Sequence, residues 1–448
     1  MTTSKSSWQP DSWRQQTGLQ MPHYHDQASL SSVTQSLRGM PALVLPEEIQ
    51  RLRQQLAMAE RGEAFLLQAG DCAESFNDFG ETKLRATFQQ ILQMAVVLTH
   101  GLERPVIKLG RIAGQYAKPR SSDKESRGDQ SLPSYRGDII NGVDFTAEAR
   151  VPDPQRMLQA YHFSACGLNL LRALSSSGEA DLNQVKQWNR AFVANSQASA
   201  TYQEVTAQIE QSLAFMNVVG INTSNTPSLH QVDLFCSHEA LLLEYEQALV
   251  RQDRNGDFYG GSGHMLWIGE RTRQLNSAHV EFLRGLSNPV GIKVGPTATS
   301  DSILPLLDTL NPDNASGRIT LISRMGADNI EQLLPPLVRD LKRDGRNVCW
   351  ISDPMHGNTQ STKHGYKTRD FNNIIREIKG FFAVHQAEGS VAGGVHLELT
   401  GEHVTECIGG ITGISESDLE QCYKTQCDPR LNGDQGLELA FLVAELLR

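Results

Sequence analysis

Residues 319–359 read ITLISRMGADNIEQLLPPLVRDLKRDGRNVCWISDPMHGNT. Two short apolar runs, ITLI (Ile319–Ile322) and VCWI (Val348–Ile351), flank a helix-like stretch, DNIEQLLPPLVRDLKRDG. The runs are too continuous to be half-exposed, as expected of parallel strands covered on both faces. Each is followed at once by polar residues of catalytic type: SRMG with Arg324, then SDPMHGNT with Asp353 and His356.

This unit recurs along the chain. Further runs of strand length are FLLQA (Phe65–Ala69), VIKL (Val106–Leu109), VDLF (Val232–Phe235), MLWI (Met265–Ile268), VGIKV (Val290–Val294) and VHLEL (Val395–Leu399). Eight alternations of strand and helix predict an α/β fold, a (β/α)8 TIM barrel. A doubly wound open sheet permits the same alternation. What separates the two is where the polar residues fall. GDCAE after the first strand brings Asp71, Cys72 and Glu74, and GRIAGQYAKPRSS after the second brings Arg111, Lys118 and Arg120. CSHEA after the third brings His238 and Glu239, and GERTR after the fourth brings Glu270, Arg271 and Arg273. Lys293 lies inside the fifth strand and Glu398 inside the eighth. A closed barrel gathers all these strand ends at one mouth, whereas an open sheet spreads them along an edge.

Residues 1–60 read as an N-terminal extension packed on the barrel, with a helix over Pro46–Gly62 (PEEIQRLRQQLAMAERG). Residues 61–448 read as the barrel. It carries a helical insertion after the second strand, around residues 133–231, with segments PQRMLQAYHFSACGLNLLRAL, DLNQVKQWNRAFV and TYQEVTAQIEQSLAFM.

Composition sets outer limits. The 448 residues carry 41 Lys+Arg against 51 Asp+Glu, a formal net charge of −10. Such a surface does not coat nucleic acid or an anionic membrane, although a local basic pocket remains open to it. No stretch is long and apolar enough for a transmembrane helix. The start, MTTSKSSWQPDSW, lacks the apolar core of a secretory signal, and seven scattered cysteines make no disulfide scaffold. A cytoplasmic location with reduced thiols is the expectation.

Two chemical subsets stand out. Cys72, His356, Glu398 and Asp428 (in CDPRLNG) form a mixed sulfur, nitrogen and oxygen set. It suits a borderline divalent cation such as Mn²⁺, Co²⁺, Zn²⁺ or Fe²⁺. One buried cysteine alone is more often an inert small hydrophobe; four such residues at strand ends reverse that reading. The second subset is cationic: Arg111, Arg271, Lys293 and Arg324. Lys293 interrupts an apolar strand, where a charge is costly without a partner, and an anionic substrate would supply one. Lys118, Arg120, Ser121 and Ser122 suggest a second anion cluster. These residues point to a metal-dependent enzyme of small phosphorylated or carboxylated metabolites. Aldol-type bond formation, isomerisation and lyase chemistry all stay open at this point.

GDCAESF, RIAGQYAKPRS, GERTR, GIKVGP, LISRMG, WISDPMHGNT, GGVHLELTG and CDPRLN, in this order, closely resemble the type II 3-deoxy-D-arabino-heptulosonate 7-phosphate (DAHP) synthases. The resemblance runs from about residue 8 to the C-terminus. It implies a homo-oligomer (dimer or tetramer) that condenses phosphoenolpyruvate (PEP) with erythrose 4-phosphate, the first step of the shikimate pathway toward chorismate and the aromatic amino acids. It implies Cys72, His356, Glu398 and Asp428 as metal ligands, with Mn²⁺ or Co²⁺ foremost. Arg111, Glu270, Arg271, Lys293 and Arg324 would hold PEP, and Lys118, Arg120 and Ser121 would hold erythrose 4-phosphate. Cys72, Lys293, Glu270 and His356 would be catalytic, Glu270 by positioning or deprotonating water. The insertion would carry an aromatic amino acid effector site or an oligomer contact. Cys427, next to a proposed ligand, suggests a redox pair with Cys72. Another divalent-metal barrel aldolase or lyase is the alternative, disfavoured because it needs no second anion cluster. A non-enzymatic barrel is disfavoured because every candidate ligand and cation is in place.

Overall fold

A computed structural model describes residues 8–181, 184, 185, 187–189, 192, 200–220, 226 and 231–447. Eight strands form the barrel: β1 (Phe65–Gly70), β2 (Val106–Arg111), β3 (Leu234–Glu239), β4 (Met265–Ile268), β5 (Val290–Val294), β6 (Ile319–Ser323), β7 (Cys349–Ser352) and β8 (Ala392–Glu398). All neighbours pair in parallel, and β1 pairs with both β2 and β8, which closes the sheet. The open-sheet alternative is thereby excluded.

The helices are α1 (Gln27–Gly39), α2 (Pro46–Glu60), α3 (Glu81–Leu102), α4 (Gln155–Ser175), α5 (Ala200–Val218), α6 (Leu243–Ala248), α7 (Ala278–Arg284), α8 (Ser300–Leu310), α9 (Ile330–Arg343), α10 (Phe371–Ala387) and α11 (Gly433–Leu446). Alternation along each strand sorts the side chains into two layers. Val290, Ile292 and Val294 of β5 face the helices, in one cluster with Leu306, Leu310, Leu334 and Leu337. Lys293, between them, belongs to the inward set. Inside the barrel Leu66, Ile107, Leu109, Phe235, Met265, Trp267, Ile322 and Ile351 cluster with Leu52, Leu56 and Ala59 of α2. Helix α2 therefore plugs the end where the strands begin, leaving the other end for polar side chains. Pro46 and the Glu48 side chain, which accepts from the Leu45 backbone N–H, start this helix.

Several strands run further than their apolar runs suggest. The third is Leu234–Glu239 rather than Val232–Phe235, and β2 continues through Gly110 to Arg111. The seventh is shifted by one residue to Cys349–Ser352, and β8 starts at Ala392 and ends at Glu398. Ladder hydrogen bonding continues into polar residues such as Arg111 and Ser237, whose side chains find partners in the barrel, so apolarity marks only part of these strands.

Between β2 and β3 a hairpin (Lys124–Arg127 with Gln130–Pro133) precedes α4, which packs against α1 and α3 as the crossover helix. Tyr202 of α5 stacks on Phe441 of α11, with ring centroids 4.6 Å apart. Six of the thirteen residues of segment 181–193, expected as an extra helix, lie outside the described residues. Among the described residues no helix is long and apolar enough to cross a membrane.

Candidate active site

Gly70, Arg111 and Glu398 lie at one level: Gly70 pairs in register with Arg111 on β2 and with Glu398 on β8. With no side chain between them, Arg111 Nη2 reaches Glu398 Oε1 at 3.0 Å across β1. A Cβ on Gly70 would lie 2.6 Å from the Arg111 carbonyl oxygen, and its φ of +145° disfavours other residues.

Glu398 is the hub. Its Oε1 lies 3.0 Å from His356 Nε2 and 3.3 Å from Lys118 Nζ, and its Oε2 accepts from Arg369 Nη1 at 2.7 Å. Burial would raise its pKa, but His356, Lys118 and Arg369 outweigh burial and hold it well below the carboxylate range. Asp428 arrives from far along the chain. Arg430 binds Asp71 at 3.0 Å and Glu406 at 2.7 Å, which pins the 427–430 loop beside β1. The Asp428 N–H then donates to Cys72 Sγ at 3.3 Å. Burial also opposes ionised Asp428, and Lys118 chiefly keeps it charged. Burial, a hydrogen bond with Cys427 and the Glu398 charge push the Cys72 thiol up.

Cys72, Glu398 and Asp428 place donor atoms within 4.8 Å of one another. His356 extends the set through its contact with Glu398. Its Nδ1 faces Asp353 Oδ2 at 2.8 Å, an arrangement that points Nε2 inward. One thiol, one imidazole and two carboxylates fit a divalent cation of the borderline class.

Asp353 also bonds Lys293 Nζ, at 2.5 Å. Lys293 and Arg111 in turn meet at His396. Arg324 is half-buried and donates to the His356 carbonyl at 3.0 Å. Glu270 accepts from Arg273 at 2.6 Å and from Thr297 at 3.2 Å. Arg271 is exposed on the same loop.

The expected second anion cluster is divided. Lys118 Nζ sits 2.5 Å from Cys72 Sγ and 2.6 Å from Asp428 Oδ2, inside the ligand set rather than beside Arg120. Arg120 pairs with Glu125 of the hairpin at 3.0 Å, and Ser121 and Ser122 are exposed.

Arg369 and His396, both buried beside the site, were not singled out by the sequence, and Glu239, named there after the third strand, was given no role. Arg369 holds Glu398 from a hairpin strand (Lys367–Arg369). Glu239 points into the barrel, and burial pushes its carboxyl up to about 7 against the pull of Lys293, Lys118 and Arg111. His396 lies two residues before Glu398 on the same face of β8. For Glu239 and His396 the signal was a polar residue at an inward position of a barrel strand. His238, next to Glu239, faces outward and bonds Glu246 at 2.8 Å.

The family model described as "Class-II DAHP synthetase family" matches residues 8–444. The chain is 49% identical over 439 residues to "Phospho-2-dehydro-3-deoxyheptonate aldolase" of Streptomyces coelicolor, covering 98% of this chain and 97% of that one. It is 48% identical over 444 residues to "Phospho-2-dehydro-3-deoxyheptonate aldolase AroG" of Mycolicibacterium smegmatis, covering 98% and 94%. A solved structure of the enzyme from Francisella tularensis SCHU S4 aligns over 94% of this chain and 96% of its own at 14% identity and a TM-score of 0.47, too loose a likeness to argue from. With a matching family model over nearly the whole length and two close relatives, the chain belongs to the class-II DAHP synthetase family.

Proposed function

We propose that the barrel mouth condenses PEP with erythrose 4-phosphate, giving DAHP and inorganic phosphate, with the substrates divided between the residues described above. The observation that carries this is Asp353, one carboxylate bonded both to a candidate metal ligand, His356, and to a candidate anion holder, Lys293. It joins the cation site and the anion site into one reaction centre.

Cys72, His356, Glu398 and Asp428 would hold the divalent cation, Mn²⁺ or Co²⁺ before Zn²⁺ or Fe²⁺. When bound, the cation supplies Lewis-acid polarisation of the aldehyde oxygen. Arg111, Lys293, Arg271 and Arg324 neutralise PEP and fix its C3 against the aldehyde carbon. C3 of PEP attacks that carbon, water adds at C2, and phosphate leaves from C2. Glu270 orients the water from its anchored position on Arg273. Lys118 and Arg120, with Ser121, serve erythrose 4-phosphate; Lys118 would reach the sugar end and Arg120 the phosphate.

The same reading makes the enzyme a cytoplasmic homo-oligomer entering the shikimate pathway, with an aromatic amino acid effector bound at the insertion. Melting curves with Trp, Tyr and Phe, paired with initial rates, test the effector; no shift and no inhibition would refute it. The reaction is tested by following PEP absorbance with and without erythrose 4-phosphate and EDTA. PEP loss should require both the aldose and a metal. Cys72→Ala and Arg271→Ala should each remove turnover, and near-normal rates in either would refute the assignment.

A further inference from the structure

Arg111 and Lys293 present an electrostatic problem: two cations approach one point in the dry interior of the barrel. Arg111 is 2% exposed and Lys293 5%, and both reach the same atom, His396 Nε2, at 2.5 and 2.7 Å. Such charges repel strongly where water is absent. Each already has one carboxylate partner, Glu398 for Arg111 at 3.0 Å and Asp353 for Lys293 at 2.5 Å; a third carboxylate between them would cancel the positive charge that the pair can still offer a substrate.

The ring nitrogen that sits there is held as an acceptor by a chain of bonds with one consistent direction. The Ser237 hydroxyl donates to the Gly110 carbonyl at 3.0 Å. Ser237 Oγ therefore accepts from the Gln68 amide nitrogen, also at 3.0 Å. Gln68 Oε1 is left to accept from His396 Nδ1–H at 2.7 Å. Nε2 then carries a lone pair, and Arg and Lys can only donate to it. Gln68, Ser237 and His396 are all fully buried, and Gln68 and His396 pair in register on β1 and β8.

We infer that His396 is a positioning residue of the anion site: a neutral acceptor that keeps Arg111 and Lys293 side by side without adding a further negative charge to those of Glu398 and Asp353. The inference rests on the assignment of Arg111 and Lys293 to PEP. Trp267 supplies a reporter. Its ring lies 5.5 Å from that of His396, edge-on, and the Arg111 guanidinium stands 5.0 Å above it.

The test is a PEP titration followed by intrinsic fluorescence, with metal present and erythrose 4-phosphate absent. His396→Gln places an amide oxygen near the Nε2 position and should bind PEP within a few-fold of the parent. His396→Asn keeps the bond to Gln68 but loses the acceptor. It should bind roughly ten- to a hundredfold more weakly, the loss of a charge-assisted hydrogen bond. His396→Glu keeps an acceptor and adds a negative charge, and should weaken PEP at least as much. A role in packing alone would not rank Gln above both Asn and Glu. Equal affinities across the three variants, or Asn as good as Gln, would overturn the inference. If His396→Asn does not fold, the Gln and Glu pair decides it, since both accept and they differ in charge. A distinct result, unchanged PEP binding in Arg111→Ala and Lys293→Ala, would show that the site assignment itself is wrong and would remove the inference with it.

Discussion

Lys293 shows how one residue carries both legible and hidden information. Its presence within VGIKV marks it from sequence alone as a charge needing a partner. What cannot be read is that its neighbours are another cation, a carboxylate and a neutral histidine from three other strands or strand ends. Burial, with the nearby Arg111 charge, pushes its pKa down to about 8 against the opposing pull of Asp353. The ammonium is therefore present below that pH and lost above it. Since kcat/KM reports ionisations of the free enzyme, kcat/KM for PEP should fall as pH rises through about 8. Lys293→Arg, if folded, should lose this alkaline limb, and a parent profile flat to well above 8 would contradict the assignment. Cys427 belongs to the same scale. Its thiol hydrogen-bonds that of Cys72. Peroxide acting on metal-stripped protein should take one hydrogen from each thiol, giving the disulfide and two waters, with a mass loss of two hydrogens. Metal-free protein that resists peroxide, with unchanged mass and full activity on adding metal, would dismiss the pair.

At the level of elements, the strand ends decide the site and the strand starts decide the stability. The apolar runs identified all eight barrel strands because both of their faces are covered. They stopped short of the ends of β2 and β3, because these strands finish in polar residues, Arg111, which pairs with Glu398, and Glu239. The C-terminal loop was beyond reach for a related reason: Asp428 meets Cys72 directly and through Lys118, with Arg430 pinning the loop on Asp71, and none of these contacts has a local signature. At the opposite end α2 was legible as a helix from its proline and glutamates, but not as a plug, since periodicity shows an apolar face and not what covers it. Leu56 of α2 is fully buried among residues from β1, β2, β4 and β7. Leu56→Ala should cost about 2–5 kcal/mol, the usual range for a buried leucine. Denaturant unfolding of the metal-free protein measures it. PEP affinity should be unchanged, because the plug and the mouth lie at opposite ends of the barrel. A loss of less than about 1 kcal/mol would mean that α2 merely rests on the surface.

The whole molecule is acidic, at −10, yet gathers Arg111, Lys118, Lys293 and Arg324 at one mouth. At this net charge two copies that associate do so against net repulsion. Apolar contact is the available counterweight, and α5 supplies a face for it. One side of α5 is spent on the body of the protein, with Tyr202, Val205 and Ile209 buried in the main core. Near its end Phe215, Val218 and Val219 are 67%, 84% and 52% exposed. Phe215 and Val218 are three residues apart and share a helix face, and such a patch is unusual on a surface that meets only water. Replacing Phe215 and Val218 together by Asp should lower the mass seen by light scattering, with PEP affinity intact because the mouth is elsewhere. More salt should strengthen assembly of the parent, since it screens the repulsion without weakening apolar contact. A parent that scatters as a single 49.5 kDa chain, or a double variant of unchanged mass, would remove α5 from the interface.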